Sequence, residues 1–257
     1  MANSYRTRFA NSPIMGGMTP AVKWLLIVNT AVFVASLLLA RSANDFLLPW
    51  FGLVPSQVVH SLAIWQPVTY LFLHSTSGFG HILMNMLTLW MFGVPLEGVM
   101  GTRRFVRYYF FCGIGAGISV IVLNYAFGYQ NTRTIGASGA IYGLLLAFGL
   151  IFPTARILFF FLFPIQARIY VWIMGAIVFL STLTDSGGGV SNVAHLGGML
   201  FGYLFLRAGL DRVDLPEFHP IDDLRRSYRE WKLARAKRKF QVYLKKRGPG
   251  PRDPWVH

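Results

Sequence analysis

A long uncharged stretch is the feature of this sequence that most restricts its fold. Residues 46–96 contain no aspartate, glutamate, lysine or arginine. A soluble domain needs charged side chains on its surface, so this stretch cannot be the surface of one. Over all 257 residues, 54% are hydrophobic and only 13% are charged. This composition excludes a disordered chain and a disulfide-stapled secreted domain, argues against an ordinary soluble enzyme, and indicates a membrane protein.

Six apolar stretches have the composition of membrane-spanning helices. A helix rises about 1.5 Å per residue, so about 20 mostly apolar residues cross the ~30 Å hydrocarbon core. We therefore predict an all-α fold, a polytopic bundle of six transmembrane helices over residues 21–208. A short segment (1–20) precedes it and a charged tail (209–257) follows it. The predicted spans are residues 22–40, 79–96, 105–127, 138–152, 169–183 and 191–206.

The basic residues predict the orientation of this bundle. Six spans place both termini on one side, and 22 of the 24 lysines and arginines fall on that side. The exceptions are Arg41 and Arg133. Because basic residues concentrate in cytoplasmic segments, we expect a multi-pass protein of the plasma (inner) membrane with both termini in the cytoplasm. The net charge of +14 then reflects orientation and a basic tail, and no nucleic-acid partner is expected.

The tail holds most of the remaining charge. Residues 207–257 contain 14 of the 24 basic side chains. Residues 221–247 show apolar side chains at helical spacing among lysines and arginines, and a Gly-Pro-Gly-Pro run ends the pattern. A basic amphipathic helix is attracted to anionic lipid, so we expect the tail to lie on the anionic inner leaflet. A cytoplasmic partner is the alternative.

Four polar side chains stand out in the apolar body. His81 and Asn85 share one face of the second span, Ser138 begins the fourth span, and His195 lies in the sixth. Ionisable groups in a membrane are costly, so a functional role is the first hypothesis. The alternative is structural, since a serine hydroxyl can bond to its own helix and a histidine can join helices.

Glycines favour a functional role for Ser138 and His195. The fourth and sixth spans each carry two glycines four residues apart: Gly139 and Gly143, and Gly198 and Gly202. Small residues at this spacing let helices pack closely, which would bring Ser138 and His195 within reach. A hydroxyl bonded to an imidazole is the arrangement that activates serine as a nucleophile.

Three further side chains fit around such a pair. His81 and Asn85 offer donors for an oxyanion. Tyr142 lies one turn beyond Ser138 and could stack on the ring of His195.

Together these motifs resemble the rhomboid intramembrane serine proteases. The resemblance covers roughly residues 22–206, and it includes the stretch 65–74 before the second span. Its motifs are Gly136-Ala137-Ser138-Gly139, the pair Ala194-His195 followed by Gly198 and Gly202, and His81 with Asn85.

The resemblance implies a specific chemistry. Ser138 would be the nucleophile and His195 the general base of a dyad. His81, Asn85 and the backbone N–H of Ser138 would form the oxyanion hole. Tyr142 would lie under the histidine, and Gly136, Gly139, Gly198 and Gly202 would support the site. The reaction would hydrolyse a peptide bond in or next to the transmembrane segment of a single-pass substrate, through an acyl-enzyme. No cofactor and no metal are expected, and the outer loop 46–64 would lie partly in the membrane.

Two other functions stay open at this point. One is a rhomboid-like pseudoprotease that binds membrane clients, and the other is a transporter that uses His81 and His195 as a proton relay. Within the protease hypothesis, Asp185 is the one plausible acid for a triad, and Asn192 lies one turn before His195.

Overall fold

The computed structural model describes residues 17–159, 163–184 and 190–208, together with residues 229, 232–233 and 235–237 of the tail. Six longer helices account for most of the body: α1 (Pro20–Leu38), α5 (Gly80–Met100), α6 (Thr102–Ala126), α7 (Ser138–Ile151), α8 (Ala167–Thr184) and α9 (Val190–Arg207). An outer segment between α1 and α5 holds α2 (Ala40–Phe51), α3 (Pro55–His60), α4 (Gln66–Thr69) and a 3₁₀ turn, Tyr70–Phe72.

The six long helices match the six predicted spans, and their ends shift by at most four residues. In the part of the chain that the structure describes, α1, α5 and α6 are long and apolar enough to cross a membrane by length and composition. Helix α7 and most of α8 are apolar but shorter. The chain is therefore an all-α polytopic membrane protein, as the composition predicts.

The largest end shift has a clear cause. The predicted span ends at position 96 because Glu97 is charged, whereas α5 continues to Met100. The buried Glu97 carboxylate accepts the backbone N–H groups of Ala21 and Val22, each at 2.9 Å, and the hydroxyl of Thr102 at 2.7 Å. The first N–H groups of a helix lack partners within that helix, so Glu97 caps α1 and its own charge is satisfied.

Helix α6 lies at the centre of the core. Its side chains Phe105, Tyr108, Tyr109 and Cys112 are fully buried. The Tyr108 hydroxyl donates to the carbonyl of Gly143 on α7 at 2.7 Å. A buried polar group needs such a partner, and the bond fixes α7 against α6.

A β-hairpin between α7 and α8 differs from the expected loop. Strands β1 (Arg156–Phe159) and β2 (Phe163–Gln166) pair antiparallel, with Arg156 opposite Gln166 and Ile157 opposite Ile165. Both strands are rich in branched and aromatic residues, which favour extended backbone.

The chain divides into two compact units, Met1–Leu215 and Pro216–His257. The described residues of the second unit are helical and exposed: Arg229, Lys232, Leu233, Arg235, Ala236 and Lys237. The rest of the predicted tail helix, and residues 1–16 of the amino-terminal segment, lie outside the described residues.

Candidate active site

Ser138 and His195 meet across the interface of α7 and α9. Ser138 is the first residue of α7, and its Oγ lies 2.9 Å from Nε2 of His195. Both side chains are half-buried. When Nε2 carries no proton, it accepts the hydrogen bond of the hydroxyl, which is the arrangement required for base activation of a serine.

Glycines permit this close approach of the two helices. A Cβ on Gly198 would collide with the carbonyl of Gly139, and a Cβ on Gly143 would lie 3.1 Å from the carbonyl oxygen of Gly198. A Cβ on Gly202 would lie 3.3 Å from the Cα of Gly143. The backbones of α7 and α9 therefore pack directly against each other, which sets the separation of Ser138 and His195.

Tyr142 orients the ring of His195. The two rings stack with centroids 4.1 Å apart and planes at 18°. Tyr142 lies one turn beyond Ser138, so the hydroxyl that His195 contacts and the ring on which it stacks belong to the same helix. Stacking and hydrogen bonding together restrict the rotation of the imidazole.

The turn before Ser138 requires a glycine. Gly136 has φ of +118°, a backbone conformation that residues with a Cβ rarely adopt. A Cβ there would also lie 3.1 Å and 3.2 Å from Cε1 and Nε2 of His81. The missing side chain therefore lets the edge of the His81 ring approach the backbone beside the serine.

His81 and Asn85 differ in their exposure and in their contacts. His81 is exposed, on the first turn of α5, with Nε2 beside Gly136. Asn85 is buried, and its Nδ2 donates to the carbonyl of His81 at 2.9 Å. An amide nitrogen has two hydrogens, so this bond leaves one for another acceptor.

The outer segment holds the loop that carries Ser138. The N–H of Gly136 donates to the carbonyl of Tyr70 at 2.9 Å, and Leu53 and Thr134 exchange two backbone hydrogen bonds at 3.0 Å and 2.8 Å. The Tyr70 hydroxyl donates to the carbonyl of Gly113 on α6 at 2.6 Å. Tyr70 therefore joins the serine loop to the central helix.

His74 also reaches this site, and the sequence places it only in an outer loop. It is 2% exposed, and its ring centroid lies 5.3 Å from that of His81. Burial, and then the neighbouring His81, lower the pKa of His74 to about 4, so the ring is neutral at pH 7. His74 lies before the first residue of α5, in a segment that is not helical, so helical spacing does not predict this contact.

The structure gives less support to a role for the two other candidates, Asn192 and Asp185. Asn192 is half-buried on α9, one turn before His195, and Asp185 lies outside the described residues. Among the described residues, no group of three histidine, cysteine or acidic side chains is placed to hold a metal ion.

A model of the Rhomboid domain matches residues 61–212. Rhomboid protease GluP of Bacillus subtilis is 29% identical over 162 residues, which cover 63% of this chain and 29% of that protein. Rhomboid protein 1, mitochondrial, of Saccharomyces cerevisiae is 30% identical over 135 residues, 49% of this chain and 37% of that protein. Rhomboid-like protease 3 of Toxoplasma gondii is 26% identical over 185 residues, 71% of this chain and 66% of that protein.

The chain spans less than two thirds of the length of each of these three relatives. The domain match nevertheless covers more than half of the chain and includes Ser138, His195, His81 and Asn85. With its apolar helices and this match, the chain belongs to the rhomboid family.

Proposed function

We propose that this protein is an intramembrane serine endopeptidase in which Ser138 and His195 form the catalytic dyad. The observation that carries the proposal is the 2.9 Å contact between Ser138 Oγ and His195 Nε2, with Tyr142 stacked on the imidazole. The relatives named as rhomboid proteases support the same class of reaction. The substrates would be single-pass membrane proteins.

The dyad performs acylation in two proton transfers. Ser138 Oγ attacks the carbonyl carbon of the scissile peptide while His195 Nε2 takes the hydroxyl proton. A tetrahedral intermediate forms, with negative charge on the former carbonyl oxygen. The C–N bond then breaks, His195 gives its proton to the leaving amine, and an acyl ester remains on Ser138. Deacylation repeats these steps with water as the nucleophile.

The developing oxyanion needs preorganised donors. The backbone N–H of Ser138 is at the start of α7, where N–H groups lack partners within the helix. His81 offers Nε2–H, and Asn85 offers the second hydrogen of its amide. These three groups belong to two helices, α5 and α7, so the proposed oxyanion hole depends on the position of α5 relative to α7.

Labelling by a fluorophosphonate probe tests the proposal without knowledge of the substrate. The serine oxygen forms a bond to phosphorus, fluoride leaves, and His195 takes the proton, so labelling requires the activated serine. We expect the purified protein in detergent or lipid to be labelled, and Ser138→Ala and His195→Ala to abolish labelling. Ser36→Ala is the matched control, because Ser36 bonds to the carbonyl of Val32 in its own helix.

The alternatives predict a different outcome. A pseudoprotease that binds clients would retain client binding in Ser138→Ala, and the wild type would be neither labelled nor active on membrane substrates. Full labelling of Ser138→Ala would refute the assignment of the nucleophile.

The proposed location is the plasma membrane with both termini in the cytoplasm, as the distribution of basic residues indicates. The tail, with its many lysines and arginines, would lie on the anionic inner leaflet. The substrate site would then open toward the opposite side of the membrane, since Ser138 begins α7 at the end away from the basic segments.

A further inference from the structure

His74 is a buried imidazole to which the dyad mechanism gives no role. It follows the 3₁₀ turn of the outer segment and is 2% exposed. Within the part of the chain that the structure describes, neither ring nitrogen bonds to another side chain, and the backbone of Phe72 is a polar group that acts on the imidazole. The contact that His74 offers to its neighbours is therefore the packing of its ring.

The ring of His74 packs against the ring of His81. The centroids are 5.3 Å apart and the planes are tilted by 55°. His81 meets Gly136 through its Cε1–Nε2 edge, where a Cβ would come within 3.2 Å. The candidate oxyanion donor therefore contacts both the backbone beside the serine and the His74 ring.

His81 needs such support because its own side chain is exposed. An exposed imidazole on a first helical turn has several rotamers available. An oxyanion donor is effective only when it is held in place before the charge develops. His74 is immobilised by burial, so it can supply a fixed surface where the α5 helix alone does not.

We propose that His74 is a positioning residue for the oxyanion hole, which holds the His81 ring in the orientation that donates to the oxyanion. This inference rests on the proposed protease function. The support is steric, because His74 forms no hydrogen bond with His81 among the described contacts. An aromatic ring of similar size should therefore replace it.

The test measures the saturation kinetics of fluorophosphonate labelling in the full chain. We expect His74→Ala to lower the maximal labelling rate about tenfold and to leave the probe concentration for half-maximal rate within about twofold, because the defect lies in transition-state stabilisation. His74→Phe should restore the rate to within about threefold of the wild type. His60→Ala is the matched control, since this exposed outer histidine contacts Tyr125 and not the site.

A double-mutant cycle separates positioning from general destabilisation. If His74 acts through His81, His74→Ala should slow labelling little further when His81 is already alanine. A loss of the same size in both backgrounds, or an unchanged rate in His74→Ala, would overturn the inference. Should His74→Ala fail to fold, His74→Gln takes its place, since it also removes the ring.

The labelling experiment also distinguishes a failure of the His74 inference from a failure of the proposed protease function. A wild type that is not labelled at Ser138 refutes the protease function and this inference together. A wild type that is labelled normally, with an unaffected His74→Ala, refutes the inference alone.

Discussion

Tyr142 gives His195 the orientation that a serine protease usually obtains from an acid. Its ring is stacked on the imidazole at 4.1 Å, one turn from Ser138 on the same helix. An aromatic ring restricts the plane of the histidine without adding a charge inside the membrane, where a buried carboxylate would be costly. The orientation of His195 then depends on contact with the aromatic ring of Tyr142 and not on its phenol hydroxyl.

Substitution at Tyr142 should separate these two properties. Tyr142→Phe keeps the ring, and we expect its fluorophosphonate labelling rate to stay within about threefold of the wild type. Tyr142→Ala should lose up to about tenfold, because an aromatic stack contributes about 0.5–1.5 kcal/mol and 1.36 kcal/mol corresponds to tenfold in rate. Equal losses in both variants would show that the hydroxyl is required, and Tyr129→Ala, at an exposed loop position, controls for unspecific effects.

At the scale of single residues, the sequence predicts the polar groups of the site better than it predicts their surroundings. Ser138, His195 and Asn85 stand out because a polar group in an apolar helix is costly. His74 does not, because it lies in a loop where a histidine is ordinary. Its burial against His81 depends on the path of the outer segment, which no periodicity reveals.

The helix pair α7–α9 is the element on which the site depends. Its backbones touch at Gly139 and Gly198, and neither position has room for a side chain. Any added atom must move one helix, and with it either Ser138 or His195.

A single methyl group should therefore be damaging at this crossing. We expect Gly198→Ala to lower the thermal midpoint and to abolish most labelling, because overpacking costs about 1–3 kcal/mol and separates the dyad. Gly98→Ala on α5 is the matched control: nothing lies within 4 Å of a Cβ there, so stability and labelling should be unchanged. If Gly198→Ala is labelled at the wild-type rate, the helix crossing does not set the distance between Ser138 and His195.

The same scale shows what the sequence cannot predict. All six spans follow from apolar length alone, yet α5 runs past the charged Glu97 because that charge caps a helix distant in sequence. The hairpin of β1 and β2 lies between two predicted spans, and four-residue strands are too short to show a clear alternation, so the sequence does not predict it.

At the scale of the whole molecule, the two ends of α6 report the orientation of the bundle in the membrane. Helix α6 has exposed Arg103 at its start and exposed Asn131 just beyond its end. The single cysteine, Cys112, is buried, so the natural chain offers little background to thiol reagents.

Cysteine accessibility in intact cells checks this orientation. A membrane-impermeant maleimide should label Asn131→Cys directly, but label Arg103→Cys and the tail variant Arg252→Cys only after the membrane is permeabilised. The unsubstituted chain is the control, since Cys112 should stay unlabelled. The reverse pattern would place the termini outside and contradict the proposed topology.

Vesicles with anionic lipid should shift the emission of a polarity-sensitive dye on Arg252→Cys, whereas neutral vesicles should not.

The attachment of the serine loop has a consequence for sequence divergence. Leu53, Thr134, Gly136 and Tyr70 are joined through backbone N–H and C=O groups, which every residue except proline can supply. Most substitutions of Leu53 and Thr134 leave these hydrogen bonds intact, whereas position 136 still requires a glycine and the Tyr70 hydroxyl still bonds to α6. The position of Ser138 is thus encoded largely in the path of the chain, and side chains such as those of Leu53 and Thr134 can be exchanged while the site keeps its geometry.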